Sequence, residues 1–246
     1  METKKKERRI NIIGLIVIIL VVYLTASFVY YLMTLPIKNI YIQGNSYVSD
    51  ATIIETAGIK KYPSMIKVGR NKIKKKLKKN PFIDDVKIKK SLNGTIKITI
   101  KESKPLFYNR NTKKIVLLNK KEVDGNLSYK VPSLINIVPN DLYKELVTAF
   151  NKVNYDIIMQ ISEIEYSPDV INGKTIDSDR FLLRMIDGNS VYINPVNIKR
   201  LNNYFEVYDR LPENVKGTLY FDSNSDNNMF KIYGQSEASE VKPNEN

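Results

Sequence analysis

An apolar segment near the N-terminus constrains this chain more than any other feature. Residues 10–33 contain no charged side chain. A helix rises 1.5 Å per residue, so this segment would extend over about 36 Å, and the hydrocarbon core of a bilayer is roughly 30 Å thick. The segment therefore predicts one transmembrane helix.

The charges on either side of this segment predict its orientation. Residues 1–9 form a basic cytoplasmic tail, whereas the fifteen residues after Met33 contain one basic residue, Lys38. Segments that stay in the cytoplasm carry the excess of lysine and arginine. We therefore expect a single-pass protein of the bacterial cell membrane, with its C-terminal domains outside the cytoplasm.

A cleaved signal peptide is the alternative for the same segment. The small residues 25–27 follow an apolar run of the length found in signal peptides. The apolar run continues to Leu32, however, and Tyr30 and Tyr31 suit the membrane interface. An uncleaved anchor is the favoured interpretation.

The distribution of charge predicts two further domains. Residues 37–109 contain seventeen basic and five acidic side chains, whereas residues 110–246 contain seventeen basic and nineteen acidic ones. We therefore expect a cationic domain over 37–109 and a second mixed domain over 110–234, giving an α+β fold. Residues 235–246 are polar and predict a disordered tail.

The first of these domains shows a β-α-α-β-β order. Its pattern predicts a strand before Gly44, a helix that ends at Gly58, a lysine-rich helix over 71–79, and two strands around a turn at Asn93 and Gly94.

This domain resembles the POTRA domain of the FtsQ/DivIB family of bacterial cell-division proteins. The resemblance lies in two segments, IKNIYIQGNSYVSDATIIETAGI and KVGRNKIKKKLKKNPFIDDVKIKKSLNGTIKITIKESKPLFY. The whole chain is also similar, with a basic tail, one span, this domain, a further mixed domain and a polar tail. The resemblance implies a non-enzymatic scaffold of the divisome at the septum.

The resemblance also implies the partners. These are other bitopic division proteins of the FtsL and FtsB/DivIC type, which the scaffold would link to peptidoglycan synthesis. Peptidoglycan or anionic wall polymers are further candidates for direct contact. The alternative function is a membrane-anchored wall-binding or wall-modifying protein that is not specific to division.

The sequence of the second domain also predicts a mixture of strands and helices. Strands are expected at 115–118 and 161–166, and a helix capped by Asn140 over 141–152. A hairpin follows at 181–193, and Pro195 is expected to open the next helix.

The resemblance implies that partners add a strand near the C-terminal end of the second domain. The matching residues are Tyr220, Met229, Phe230, Lys231, Ile232 and Tyr233. The aromatic residues among them would be anchors, or else they simply close the domain. Residues 229–233 form the last strand predicted by the pattern. We expect Lys231→Pro to block its pairing with a partner while the rest of the domain stays folded. The chain departs from some relatives in having no tryptophan.

The lysine-rich helix allows two interpretations. Its lysines would contact anionic head groups or wall polymers, or they would form an ordinary solvated face. The residues concerned are Lys74, Lys75, Lys76, Lys78 and Lys79. Nucleic acid is not an expected partner, because this surface is predicted outside the cytoplasm and lacks interleaved aromatic residues.

The composition argues against catalysis. The chain has no histidine and no cysteine, which removes the commonest general base, the usual zinc ligands and the thiol nucleophile. Ser64 and Lys67 match the spacing of penicillin-binding enzymes, and Glu163 and Glu165 form a potential carboxylate pair, but chance spacing and a solvated strand face explain both. We expect no catalytic residue, no metal site and no cofactor.

Overall fold

The computed structural model describes residues 11–125, 129–210, 215–223, 228–234 and 239–241. It confirms the α+β class and divides into two compact units, Met1–Glu102 and Ser103–Asn246. The division comes before Asn109, where the charge changes, because Pro105–Asn109 is a strand in the sheet of the second unit. The change in charge therefore lies inside that unit.

Helix α1 (Ile12–Thr34) is the apolar segment predicted to cross the membrane. Its first turn is capped by Asn11, whose side-chain oxygen accepts a hydrogen bond from the backbone N–H of Gly14. None of its residues is buried. Within the described ranges it is the one helix long and apolar enough to span a bilayer.

The rest of the first unit has the predicted β-α-α-β-β order. Its elements are β1 (Asn39–Gln43), α2 (Asp50–Ala57), α3 (Arg70–Leu77), β2 (Ile83–Lys90) and β3 (Thr95–Glu102). The strand order is β1-β3-β2, with β1 parallel and β2 antiparallel to the central β3.

Both helices of this unit pack on one face of the sheet through a few apolar side chains. Ile53 of α2 and the pair Ile73 and Leu77 of α3 are buried against Ile96 and Ile98 of β3. The i, i+4 spacing of the α3 pair gives one narrow apolar stripe on an otherwise lysine-rich helix. Each side chain stabilises the unit by about 1.5–3 kcal/mol.

The second unit is built on one large sheet. Its strands are β4 (Pro105–Asn109), β5 (Lys114–Leu117), β6 (Glu122–Asp124), β7 (Ser133–Leu134), β8 (Ile161–Tyr166), β11 (Phe181–Met185), β12 (Ser190–Ile193), β13 (Gly217–Tyr220), β14 (Asn228–Ile232) and β15 (Ser239–Val241), while β9 (Asp169–Ile171) and β10 (Lys174–Asp177) form a separate hairpin. The order in the large sheet is β15-β14-β13-β12-β11-β8-β7-β4-β5-β6.

Helices cover one face of this sheet. They are α4 (Asn140–Phe150), α5 (Tyr155–Ile158), a 3-10 helix (Ile198–Asn203) and α6 (Tyr204–Tyr208). Leu146 and Phe150 of α4 are fully buried in the core. The predicted cap at Asn140 is wrong, because this residue already belongs to α4 and the preceding Pro139 makes no side-chain cap hydrogen bond.

The tail predicted as disordered, 235–246, is described only over its β15 segment. There the backbone of Ser239–Val241 pairs with β14 in antiparallel register. Strand β14 is therefore followed by one more strand of the sheet.

Candidate functional site

The predicted partner site lies where the large sheet ends. We call strands β13, β14 and β15 the C-terminal edge. Strand β13 pairs antiparallel with β14, placing Gly217 opposite Ile232 and Tyr220 opposite Met229. Strand β15 pairs with β14 from Asn228 to Phe230.

Side chains alternate along β14 between the core and the outer face. Phe230 is 1% exposed and Ile232 is half-buried against the core, whereas Met229 and Tyr233 are exposed. Phe230 therefore cannot serve as an aromatic anchor for a partner, because its ring already fills the core. It closes the domain, as the alternative interpretation of these aromatic residues holds.

The two other predicted anchors reach the surface. The Tyr233 hydroxyl donates a hydrogen bond to Ser190 Oγ at 2.7 Å, which ties the end of β14 to β12. Tyr220 is half-buried, and burial together with the neighbouring Tyr192 raises the pKa of its hydroxyl. Both tyrosines therefore lie at the C-terminal edge, Tyr220 opposite Met229 and Tyr233 after Ile232 at the other end of β14.

A row of two tyrosines and a methionine crosses the outer face of this edge. Tyr192, Tyr220 and Met229 lie opposite one another on three successive strands. The two tyrosine ring centroids are 5.3 Å apart, and the Arg180 guanidinium lies 4.3 Å from the Tyr192 ring centre. Tyr192 is not among the site residues predicted from the sequence.

A signal for Tyr192 was present in the chain. Val191 and Ile193 on either side are fully buried. Since neighbouring residues of a strand point to opposite faces, two apolar residues flanking a tyrosine indicate that its ring faces outward.

The directions of the backbone N–H groups along β14 determine which of them could pair with a strand from a partner. The N–H of Tyr233 donates to the carbonyl of Lys216 at 3.0 Å. Hydrogen-bonded pairs alternate in an antiparallel ladder, so the N–H of Lys231 also points toward β13. The N–H groups of Phe230 and Ile232 point to the other side, where β15 lies. Lys231→Pro would therefore break the domain's own sheet, and the expectation that it blocks only partner pairing is wrong.

An acidic cluster lies at one end of the same sheet. Asp169, Asp177 and Asp222 line a cavity of about 630 Å³. Arg180 lies 3.2 Å from Asp169 and 4.0 Å from Asp222, and burial raises the pKa of the Asp222 carboxyl. The arginine thus compensates much of the acidic charge.

Two lysines of the lysine-rich helix α3, the cationic helix, form ion pairs within the first unit. Lys74 and Lys78 of α3 lie 2.8 Å and 3.1 Å from the Asp85 carboxylate and hold the pKa of that carboxyl well below its usual range. The other three lysines, Lys75, Lys76 and Lys79, make no ion pair with any carboxylate of the described chain.

The side chains considered as catalytic candidates make other contacts in the structure. The Ser64 hydroxyl donates to the carbonyl oxygen of Met33. Arg184 lies 3.5 Å from Glu163 and 3.2 Å from Glu165, so these carboxylates form surface ion pairs on the sheet.

The chain is similar to known division proteins. A family model for the POTRA domain, FtsQ-type, matches residues 35–103. The cell division protein DivIB of Bacillus anthracis is 29% identical over 82% of this chain and 77% of its own length, and DivIB of Bacillus subtilis is 25% identical over 94% and 88%.

A solved structure is also similar. It is the major extracytoplasmic domain of the trans isomer of DivIB from Geobacillus stearothermophilus, with 18% identity, a TM-score of 0.31, and coverage of 44% of this chain and 89% of that one. The sequence similarity to the Bacillus proteins confirms the family resemblance. The chain matches the FtsQ-type POTRA model directly after its apolar helix and is similar in sequence to DivIB cell-division proteins across most of its length.

Proposed function

We propose that this protein is a non-enzymatic scaffold of the divisome. It holds other bitopic division proteins, of the FtsL and FtsB/DivIC type, at the septum and links them to peptidoglycan synthesis. The observation that carries this proposal is the similarity to DivIB over most of the chain, with the FtsQ-type domain directly after the apolar helix. The lack of histidine and cysteine supports a role without catalysis.

Partners bind in this proposal at the C-terminal edge. A strand from a partner takes the place of β15 and pairs with the outward-pointing backbone groups of β14. Tyr192, Tyr220 and Met229 offer side-chain contacts beside that strand, and Tyr233 lies at its end. Main-chain pairing would supply affinity and these side chains specificity.

The cationic helix supplies a second contact in this proposal, with anionic head groups or wall polymers. Lys75, Lys76 and Lys79 carry it, because Lys74 and Lys78 already share the Asp85 carboxylate. Reversal of Lys75 and Lys79 to glutamate should weaken binding to anionic wall polymer, with less salt dependence than in the parent protein. Reversal of Lys97 and Lys101 to glutamate is the charge-matched control, since both are exposed lysines of β3 outside this helix. Equal binding by the parent and the variant with Lys75 and Lys79 reversed would leave the helix as a solvated face.

Localisation of the protein in dividing cells tests the scaffold proposal. A fluorescent fusion of the full chain should form a ring at the septum of dividing cells, and depletion of the protein should prevent partner proteins from reaching that ring. Uniform signal around the envelope, with partners still recruited after depletion, would contradict the proposal and favour a general wall-binding role.

A further inference from the structure

Helix α1 runs into the first unit without a free linker. Leu35 and Ile37, which follow the helix, are buried in the core of that unit. The N–H of Met65 donates to the carbonyl of Leu35 at 2.8 Å, and the N–H of Ile37 donates to the carbonyl of Pro63 at 3.1 Å. The part of the unit beside the helix end is therefore held close to it.

A concave surface lies at this junction. We call it the juxtamembrane hollow, with a volume of about 380 Å³, and its main lining residues are Leu32, Ile66, Arg70, Lys90 and Leu92. Leu32 belongs to the last turns of α1, whereas the other four residues belong to the β-α-α-β-β part of the same unit. The end of the apolar helix thus forms one wall of the hollow.

The rim of the hollow is apolar and open. Ile66 is 54% exposed, and Leu92, in the turn between β2 and β3, is 73% exposed. Large aliphatic side chains at such exposure lose the stabilisation that burial gives. Beside the end of a membrane-spanning helix, the boundary between head groups and acyl chains would cover them.

The base of the hollow is cationic. The Lys90 ammonium donates hydrogen bonds to the carbonyl oxygens of Met65, at 2.6 Å, and Val68. Burial, and then the charge of Arg70, lower the pKa of Lys90. Within the described ranges no carboxylate forms an ion pair with Arg70 or Lys90. Two cations therefore share this place without an anion.

We propose that the juxtamembrane hollow binds the head group of an anionic phospholipid of the outer leaflet. The lipid phosphate lies against Arg70 and Lys90, and Ile66 and Leu92 enter the interface beside it. This contact fixes the tilt of the first unit on the membrane. The inference requires that α1 crosses the bilayer but not that the protein binds division partners.

Paired labels on the full-length protein can test this inference. The chain has no cysteine, so Ser91→Cys and Ser46→Cys each create one labelling site. Both serines are exposed, but Ser91 lines the hollow, whereas Ser46 follows the far end of β1. Each protein is reconstituted into nanodiscs of phosphatidylglycerol or phosphatidylcholine that contain a lipid with a nitroxide on its head group. Quenching of an attached fluorophore reports its distance from the head groups.

We expect stronger quenching at Ser91 than at Ser46, and a larger difference in phosphatidylglycerol than in phosphatidylcholine. Arg70→Gln should lower the ratio of docked to undocked protein about fivefold, as expected for one basic residue at an anionic surface. Lys101→Gln is the charge-matched control, because Lys101 is an exposed lysine of β3 outside the hollow. It should leave the ratio unchanged.

Two results would overturn the inference. One is equal quenching at both positions, and the other is quenching at Ser91 that is the same in both lipids and insensitive to Arg70→Gln. Flotation of the same samples checks separately that α1 is inserted. Normal insertion with neither effect refutes the lipid site and leaves the scaffold proposal untouched.

Discussion

The ring of Phe230 lies directly on the backbone of Gly217, and this contact joins β14 to β13 at the C-terminal edge. A Cβ atom at position 217 would lie 2.7 Å from Phe230 Cζ and 2.2 Å from the carbonyl oxygen of Lys231. Both distances are far below van der Waals contact. Any side chain at this position would therefore force β14 away from β13.

Gly217→Ala should consequently destabilise the second unit. We expect a loss of about 1–3 kcal/mol in the free energy of unfolding, as for overpacking of a core. Urea unfolding of the purified protein measures it. Gly69→Ala is the control, since a Cβ there meets only Lys72 at an ordinary 3.7 Å. Equal stability of the Gly217 variant and the control would contradict the close approach of the two strands.

Glu102, at the end of β3, holds the segment that follows β1 through hydrogen bonds. Its carboxylate accepts hydrogen bonds from the backbone N–H groups of Ser46, Tyr47 and Val48, at 2.6, 2.8 and 2.9 Å. Glu102→Ala should lower the free energy of unfolding by about 1–3 kcal/mol, because these donors lose their acceptor. Glu55→Ala, at an exposed site with a single 4.0 Å ion pair, should have little effect. Thermal unfolding that shows the same small change for both variants would refute this role of Glu102.

The Asp85 pair predicts a pH dependence. Lys74 and Lys78 hold the pKa of Asp85 below its ordinary value of 3.8. A carboxyl whose pKa is lower in the folded state adds stability above its unfolded pKa, and this contribution disappears as the pH falls below that value.

Asp85→Asn should therefore lower the melting temperature of the first unit near neutral pH and have less effect in acid. The effect should be modest, because the pair is exposed to solvent. Scanning calorimetry from about pH 7 to about pH 2.5 tests this expectation. A difference between parent and variant that grows in acid would mean that the stabilising sign is wrong.

Much of the first unit could be predicted from the chain, because short-range patterns specify it. The alternation before Gly44 and around Gly94, and the pair Ile73 and Leu77, correspond directly to the observed strands and to α3. The end of the unit could not be predicted from charge. Lys114 is a surface residue of β5 and Arg110 lies in the turn before it, and sheet membership depends on pairing between distant strands.

The candidate edge was predicted in place but not in detail. Residues 229–233 read as a strand from their alternation, yet sequence does not show that β15 returns to pair with β14. Nor does it show which N–H groups point outward, because that depends on the register with β13. Apolarity alone also made Phe230 equally suitable as an anchor and as a core residue.

The register of β14 with β13 predicts that proline at two adjacent positions affects the stability of the second unit differently. Lys231→Pro removes an N–H that points toward β13 and should destabilise the second unit by about 1–3 kcal/mol. Ile232→Pro removes an N–H that points away from β13, so its effect on stability should resemble that of Ile232→Ala. Urea unfolding of the three variants measures this. Equal destabilisation by both prolines would show that the inferred backbone directions are wrong.

Partner binding by the Ile232 variants tests the central claim, that the C-terminal edge recruits division proteins by strand addition. The affinity for the purified FtsB/DivIC-type protein of the same bacterium is measured for three full-length proteins: the parent, Ile232→Ala and Ile232→Pro. Both variants lose the same side chain, but only proline removes the outward N–H. We predict near-parental affinity for Ile232→Ala and a loss of about tenfold or more for Ile232→Pro, which corresponds to about 1.4 kcal/mol. Equal affinity of the two variants, with both folded, would contradict strand addition at this edge.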